Sequence, residues 1–166
     1  MAVRSVLTLP DPFLQRPSAK VGTVDAGALA LAADLLDTMR HRPACVGLAA
    51  PQIGVGLRAF AIDVTGHRKA QSCAGELVLF DPELLSAEAP ALAREGCLSI
   101  PDLTGDVARA TLVVVRGTGT DGAERIVEAD AFEARALLHE LDHLDGFLFL
   151  DRVSSAHSVY RRKVYR

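Results

Sequence analysis

The pentad His139-Glu140-Leu141-Asp142-His143 constrains this chain more than any other stretch. It has the pattern H-E-x-x-H. In an α-helix, four residues turn the chain by about 400° and advance it by about 6 Å, so the two imidazoles leave nearly the same face and converge on one point. Glu140, rotated by about 100° from His139, stands beside that point rather than in it. Neutral imidazole nitrogens suit divalent first-row metals, and a glutamate so placed can reach a water molecule near the ion without binding the ion. The plain alternative is an exposed helix face with two incidental histidines. The helix itself reads from near Asp130, with Glu133 three residues on as in a capping box. It runs to about Leu144, and Gly146 can end it.

Catalytic zinc sites usually combine three protein ligands with one open position, so a third ligand is needed. A histidine six residues after His143 would complete one known pattern, but Phe149 stands there, and no glutamate follows Glu140 to complete another. Asp145, Asp151 and His157 lie at no familiar spacing. The third ligand is therefore expected upstream, and Cys97 in Glu95-Gly96-Cys97-Leu98-Ser99 is the best candidate. A thiolate binds zinc or ferrous iron, and Gly96 lets the backbone come close. Cys45 and Cys73 remain alternatives, and an isolated cysteine is otherwise a small buried hydrophobe. Three cysteines are too few and too odd a number for a disulfide framework. They suit a reducing cytoplasm.

The rest of the chain reads as a domain built around that helix. Its 166 residues, 49% hydrophobic and 23% charged, suit one globular domain over 1–166 with a full core. The net charge of -3 offers no electrostatic footprint for nucleic acid or an anionic membrane. No apolar run approaches the roughly 18 residues that cross a bilayer. A basic cluster, Arg161, Arg162, Lys163 and Arg166, reads as part of a short solvated tail from about 154 to 166. Asp25 to Met39 reads as a helix whose apolar stripe is Leu29, Ala32, Leu36 and Met39, with Asp34 and Asp37 off it; Pro43 stops it. Arg58 to Val64 and Leu77 to Phe80 read as buried strands, with a polar loop from Gly66 to Gly75 between them. Ala110 to Val115 and Glu124 to Val127 read as strands joined through a turn at Thr120-Asp121-Gly122. Strands followed by one central helix, without βαβ alternation, predict an α+β fold.

Three segments in this order, Gly47-Leu48-Ala49-Ala50-Pro51-Gln52, Glu95 to Ser99 and His139 to His143, resemble the three motifs of the peptide deformylase family. The resemblance implies mixed or antiparallel sheets packed around the helix that carries the histidines. It implies hydrolysis of the N-formyl group from formyl-methionyl peptides of nascent chains, releasing formate, in the cytoplasm, and it leaves contact with the ribosome open. It implies Cys97, His139 and His143 as metal ligands, with ferrous iron the expected ion and zinc or nickel able to occupy the same ligands. Glu140 is then the general base, and the Gln52 side chain and the Leu98 backbone N–H are the oxyanion donors. Val46, Gly47 and Glu95 fall where the family contacts substrate, and Phe132, Arg135 and Ala136 fall near its pocket for the methionine side chain. Glu95 and Arg109 match charged positions of the family, where an ion pair would steady the cysteine loop.

Three residues depart from the family pattern. Cys45 stands where glycine is usual, Leu138 where glutamine precedes the first histidine, and Arg135 where the residue is usually apolar. None is a ligand or the base, so the departures bear on substrate rather than on hydrolysis. They leave open a hydrolase of another formylated peptide or small molecule. A further alternative is a homologue that binds formylated peptides with little turnover.

Overall fold

The computed structural model describes residues 2–163. Six strands form one sheet, β1 (Gly47–Ala49), β2 (Ala59–Ile62), β3 (Leu77–Cys97), β4 (Ile100–Thr118), β5 (Glu124–Asp130) and β6 (Val159–Arg161). Strands β1 to β5 pair antiparallel in sequence order, and β6 pairs antiparallel with β4. Two helices complete the framework, α1 (Ala26–Arg40) and α2 (Ala131–Leu144). The arrangement is α+β, as expected.

The alternation of side chains along β2 explains where the helices go. Successive strand residues face opposite sides of a sheet. Phe60 and Ile62 join a core with Leu79, Val113, Val115, Leu137, Leu141 and Leu144 on the α2 side. Ala59 and Ala61 join a second core with Leu31, Leu35, Met39 and Phe80 on the α1 side. The sheet is thus covered on both faces, and all four residues of β2 are buried. A third cluster, Leu14, Ile100, Val107, Leu148 and Phe149, packs around Cys97 at the far end of β3.

Helix α1 begins where the sequence places it. The Asp25 carboxylate accepts a hydrogen bond from the Ala28 N–H at 2.9 Å, satisfying one of the first-turn donors. Its buried face is shifted from the expected stripe: Ala28, Leu31, Ala32, Leu35 and Met39 are buried, while Leu29 is 44% exposed. Asp34 lies within the buried face because it accepts from the Ala2 N–H and from Arg4 Nε, both at 2.8 Å. The amino-terminal segment therefore covers Asp34.

The expected capping box at α2 does not form. The Asp130 side chain caps no N–H of its own helix. Instead it accepts from the Ser72 N–H at 2.9 Å, and Glu133 accepts from the Ser72 hydroxyl at 2.8 Å and the Ala74 N–H at 2.7 Å. The two acids tie down the polar loop from Gly66 to Gly75, whose backbone donors would otherwise be unpaired. His67 of that loop stacks on Phe132, with centroids 3.8 Å apart.

Two further differences concern β3 and β4. Both strands run well beyond the expected segments and form a long hairpin arm. Residues 84–92 of β3 are exposed on both faces, so no period-2 pattern marks them. The segment read as a solvated tail contributes β6, with Leu103 opposite Arg161 and Thr104 opposite Tyr160; Arg166 lies outside the described residues. Among those residues no helix is long and apolar enough to cross a membrane.

Beyond the end of α2, Gly146 has φ +83°, and a Cβ there would stand 2.6 Å from the Gln15 carbonyl oxygen. Both the left-handed backbone and the close approach require glycine. Gly146→Ala is expected to lower the unfolding free energy by about 2 kcal/mol or more. Denaturant unfolding checks this, and an unchanged midpoint would contradict it.

Candidate metal centre

The residues predicted for the site arrive on several elements. His139, Glu140 and His143 ride on α2. Cys97 is the last residue of β3, facing Ile100 across the turn Leu98-Ser99. Gly47 opens β1, and Gln52 sits in the 3-10 turn Ala50–Ile53 that follows it.

Cys97, His139 and His143 come together: one ligand atom from each lies within 4.8 Å of the others. The Cys97 sulfur is 3.4 Å from His143 Nε2, which is 3.2 Å from His139 Nε2. Around a tetrahedral ion with typical zinc bond lengths, two nitrogens sit about 3.3 Å apart and a sulfur and a nitrogen about 3.5 Å apart. Two of the three separations match those around one shared cation, and the third is no more than 4.8 Å. The other two cysteines do not join them: Cys73 is exposed, near Thr65, and the Cys45 thiol points to the Gly47 carbonyl oxygen at 3.2 Å.

The electrostatics agree with the spacing. Burial alone would push the Cys97 thiol up, but the two imidazoles outweigh burial and hold it well below the ordinary thiol range. His139 presents Nε2 inwards because its Nδ1 is engaged by Glu95. Glu95 is in turn gripped by Arg109, whose Nε and Nη2 donate to the two carboxylate oxygens at 2.9 and 2.7 Å. Burial would raise the Glu95 carboxyl, yet the hydrogen bonds from Arg109 and His139 bring it down to about 2. The expected Glu95–Arg109 pair thus forms, and it holds the histidine as well as the strand that leads to Cys97. Arg109 also donates to Asp142 at 2.8 Å, and Arg152 closes on the same carboxylate at 2.9 and 3.1 Å.

Glu140 is buried, one of its oxygens has no hydrogen-bond partner, and it lines the same cavity as His139 and Cys97. Burial raises its carboxyl, against the pull of the two histidines. It fits there only because Gly47 lacks a side chain: a Cβ on Gly47 would stand 2.5 Å from Glu140 Oε1. The Gln52 amide is fixed in orientation. Its oxygen accepts from the Ala49 N–H at 3.0 Å, and its nitrogen faces the Ser99 hydroxyl at 3.1 Å and the Cys97 sulfur at 3.5 Å.

The cavity measures about 520 Å³, and Val46, Gly47, Glu95, Leu98, Phe132 and Ala136 are among its walls. Arg135 lines it too, but its guanidinium is turned to the backbone, donating to the carbonyls of Ala91, Ala93 and Val107 at 2.9, 3.2 and 2.6 Å. Leu138 packs against the core beside α2, so an apolar residue suits that position. Sequence reasoning gave no role to Ser99, Asp142 or Arg152. The first two lie inside the quoted motifs, and only their contacts show what they hold.

The sequence matches the family model described as Polypeptide deformylase over residues 3–159. The chain belongs to the peptide deformylase family. It is 43% identical over 155 residues to the peptide deformylase of Bartonella tribocorum, covering 93% of this chain and 86% of that one. It is 42% identical over 154 residues to peptide deformylase 1 of Bacillus subtilis, covering 93% and 92%. Its fold superposes on the crystal structure of peptide deformylase from Ehrlichia chaffeensis with a TM-score of 0.88 at 30% identity, over 95% of this chain and 91% of that one. The Thermotoga maritima enzyme gives 0.84 at 31%, over 93% and 100%. Peptide deformylases are metal-dependent hydrolases that remove the N-formyl group from nascent peptides, and the sulfur and two imidazoles of this chain fit such an ion.

Gly47→Ala is expected to lower kcat by about 10²-fold or more, since a misplaced group of this kind costs about that much. Bound metal should stay near one equivalent. Formate release and elemental analysis on the same sample check this, and wild-type kcat would contradict the steric argument.

Proposed function

We propose that residues 1–166 form one catalytic domain that removes the formyl group from formyl-methionyl peptides, using Cys97, His139 and His143 to hold one ferrous ion. The observation that carries this reading is the spacing of the three ligand atoms beside a buried carboxylate. When bound, the ion supplies Lewis acidity, polarising the formyl carbonyl and making water acidic enough to lose a proton near neutral pH.

The residues of the chain carry the remaining steps. Glu140 accepts a proton from the attacking water and delivers it to the amine nitrogen as the C–N bond breaks. A new C–O bond forms, and formate and a free amino terminus leave. Its raised carboxyl strengthens the proton-accepting half of that exchange. The Gln52 amide nitrogen and the Leu98 N–H donate to the oxygen that becomes negative, each such donor being typically worth about 2.7–4 kcal/mol. Gln52 is held by Ala49 and Ser99 before substrate arrives, so little reorganisation is needed. Val46, Gly47 and Glu95 border the substrate. Arg109 acts through Glu95, orienting His139.

Methionine remains the proposed first residue. The Arg135 guanidinium is bonded to three carbonyls, and Phe132 and Ala136 supply apolar surface in the same cavity. The proposed substrates are nascent chains, and the proposed compartment is the cytoplasm.

Glu140→Ala is expected to reduce formate release from a formyl-Met peptide by about 10²–10⁴-fold while metal stays bound. Unchanged turnover would remove the proposed base. With ferrous iron bound, activity should decay in air and persist under anaerobic handling. Equal lifetimes in the two atmospheres would point to zinc or nickel instead.

A further inference from the structure

Among the described residues of the basic cluster near the end of the sequence, Arg162 lies at the site. Strand β6 lies along β4, and the next residue, Arg162, donates its backbone N–H to the Asp102 carbonyl at 2.9 Å. Its guanidinium then reaches the Cys97 carbonyl at 3.4 Å. It lies across Gly96, where a Cβ would stand 2.5 Å from the Arg162 Nη2. Gly96 therefore makes room for a cation supplied from the far end of the chain. Arg162 lines the same cavity as Gln52, His139 and Glu140.

The charges of that cavity are unequally committed. Its basic residues are Lys69, Arg94, Arg135 and Arg162. Arg94 is paired with Asp106 at 2.8 Å, and Arg135 is bonded to three carbonyls. Of the acids, Glu95 is held by Arg109 and His139. Arg162 is in ion-pair contact with none of the described residues, and its one side-chain bond is to a neutral carbonyl. A half-buried guanidinium at a cavity wall, with most of its five N–H donors unspent, is suited to a carboxylate.

We propose that Arg162 is a substrate-positioning residue that binds a carboxylate carried by the formylated peptide downstream of its first residue. The proposal rests on the deformylase reading. The carboxylate has two possible sources, an acidic side chain or the free C-terminus of a short peptide.

The test uses the metal-loaded full chain and three peptides. These are formyl-Met-Ala-Ala amide, formyl-Met-Ala-Asp amide and formyl-Met-Ala-Ala with a free carboxylate. Formate release gives kcat/KM for each. The wild type is expected to prefer one or both carboxylate peptides over the neutral amide by about three- to fivefold, the size of a partly exposed ion pair. The preference should reside in KM and shrink as salt rises. Arg162→Ala and the bulkier Arg162→Gln should both abolish it, and Arg162→Lys should restore part of it. Which carboxylate peptide loses its advantage identifies the source. A preference that persists in both neutral variants overturns the assignment. So does an equal loss of turnover for all three peptides, which would mean that Arg162 only props the Cys97 carbonyl. Absence of formate release by the wild type from every peptide overturns the deformylase reading itself, and this assignment with it.

Discussion

The Arg109 guanidinium is buried between two carboxylates that come from different parts of the fold, Glu95 on β3 and Asp142 on α2. Burying three charges costs several kcal/mol each unless every donor and acceptor is matched. Here the match is close to complete: two guanidinium nitrogens serve Glu95, a third serves Asp142, and Arg152 covers the far side of Asp142. In the observed register of the hairpin arm against the helix, the planar fork reaches both acids. That register carries Cys97, two residues beyond Glu95, to the face of α2 where His139 and His143 emerge. The same Glu95 then selects the His139 nitrogen that points at the sulfur. A single arginine thus links the packing of sheet on helix to the orientation of two metal-binding groups.

Space is the second constraint. Strand β1 passes so close to α2 that the Glu140 carboxylate occupies the volume a Gly47 side chain would need. The close approach excludes water from one side of the carboxylate and raises its proton affinity. Gln52 lies one turn beyond β1 and is tied to Ala49 and Ser99, so the same strand positions both the proposed base and a proposed oxyanion donor. The sheet, covered by α1 on one face and α2 on the other, gives these groups a rigid support.

Much of this was legible in the sequence, for identifiable reasons. The helix period alone brings His139 and His143 together, and the elimination of downstream ligands pointed to Cys97. Other features were misread where tertiary contacts override local pattern. Asp130 and Glu133 have the form of a capping box, yet they bind the loop at Ser72 and Ala74. Asp34 reads as a solvent residue, yet the amino-terminal segment folds back and buries it. The outer part of the hairpin arm shows no alternation because both of its faces meet solvent. The basic closing segment reads as a tail, yet part of it pairs as β6 and carries Arg162 to the cavity.

By itself the sequence determined the helix with its two histidines and a glutamate, the strand-rich remainder, and a thiolate as the candidate third ligand. These follow from spacing and residue chemistry, which act over a few residues and need no knowledge of the fold. The tertiary structure alone decided that the three candidate ligand atoms lie within 4.8 Å of one another, that His139 is turned by Glu95 and Arg109, and that Gly47 leaves room for Glu140. It also decided that Arg135 is bonded to three backbone carbonyls while Arg162 is bonded to one. Each of these depends on distances between segments tens of residues apart. Such distances are set by the packing of helix against sheet, to which no local pattern in the chain corresponds.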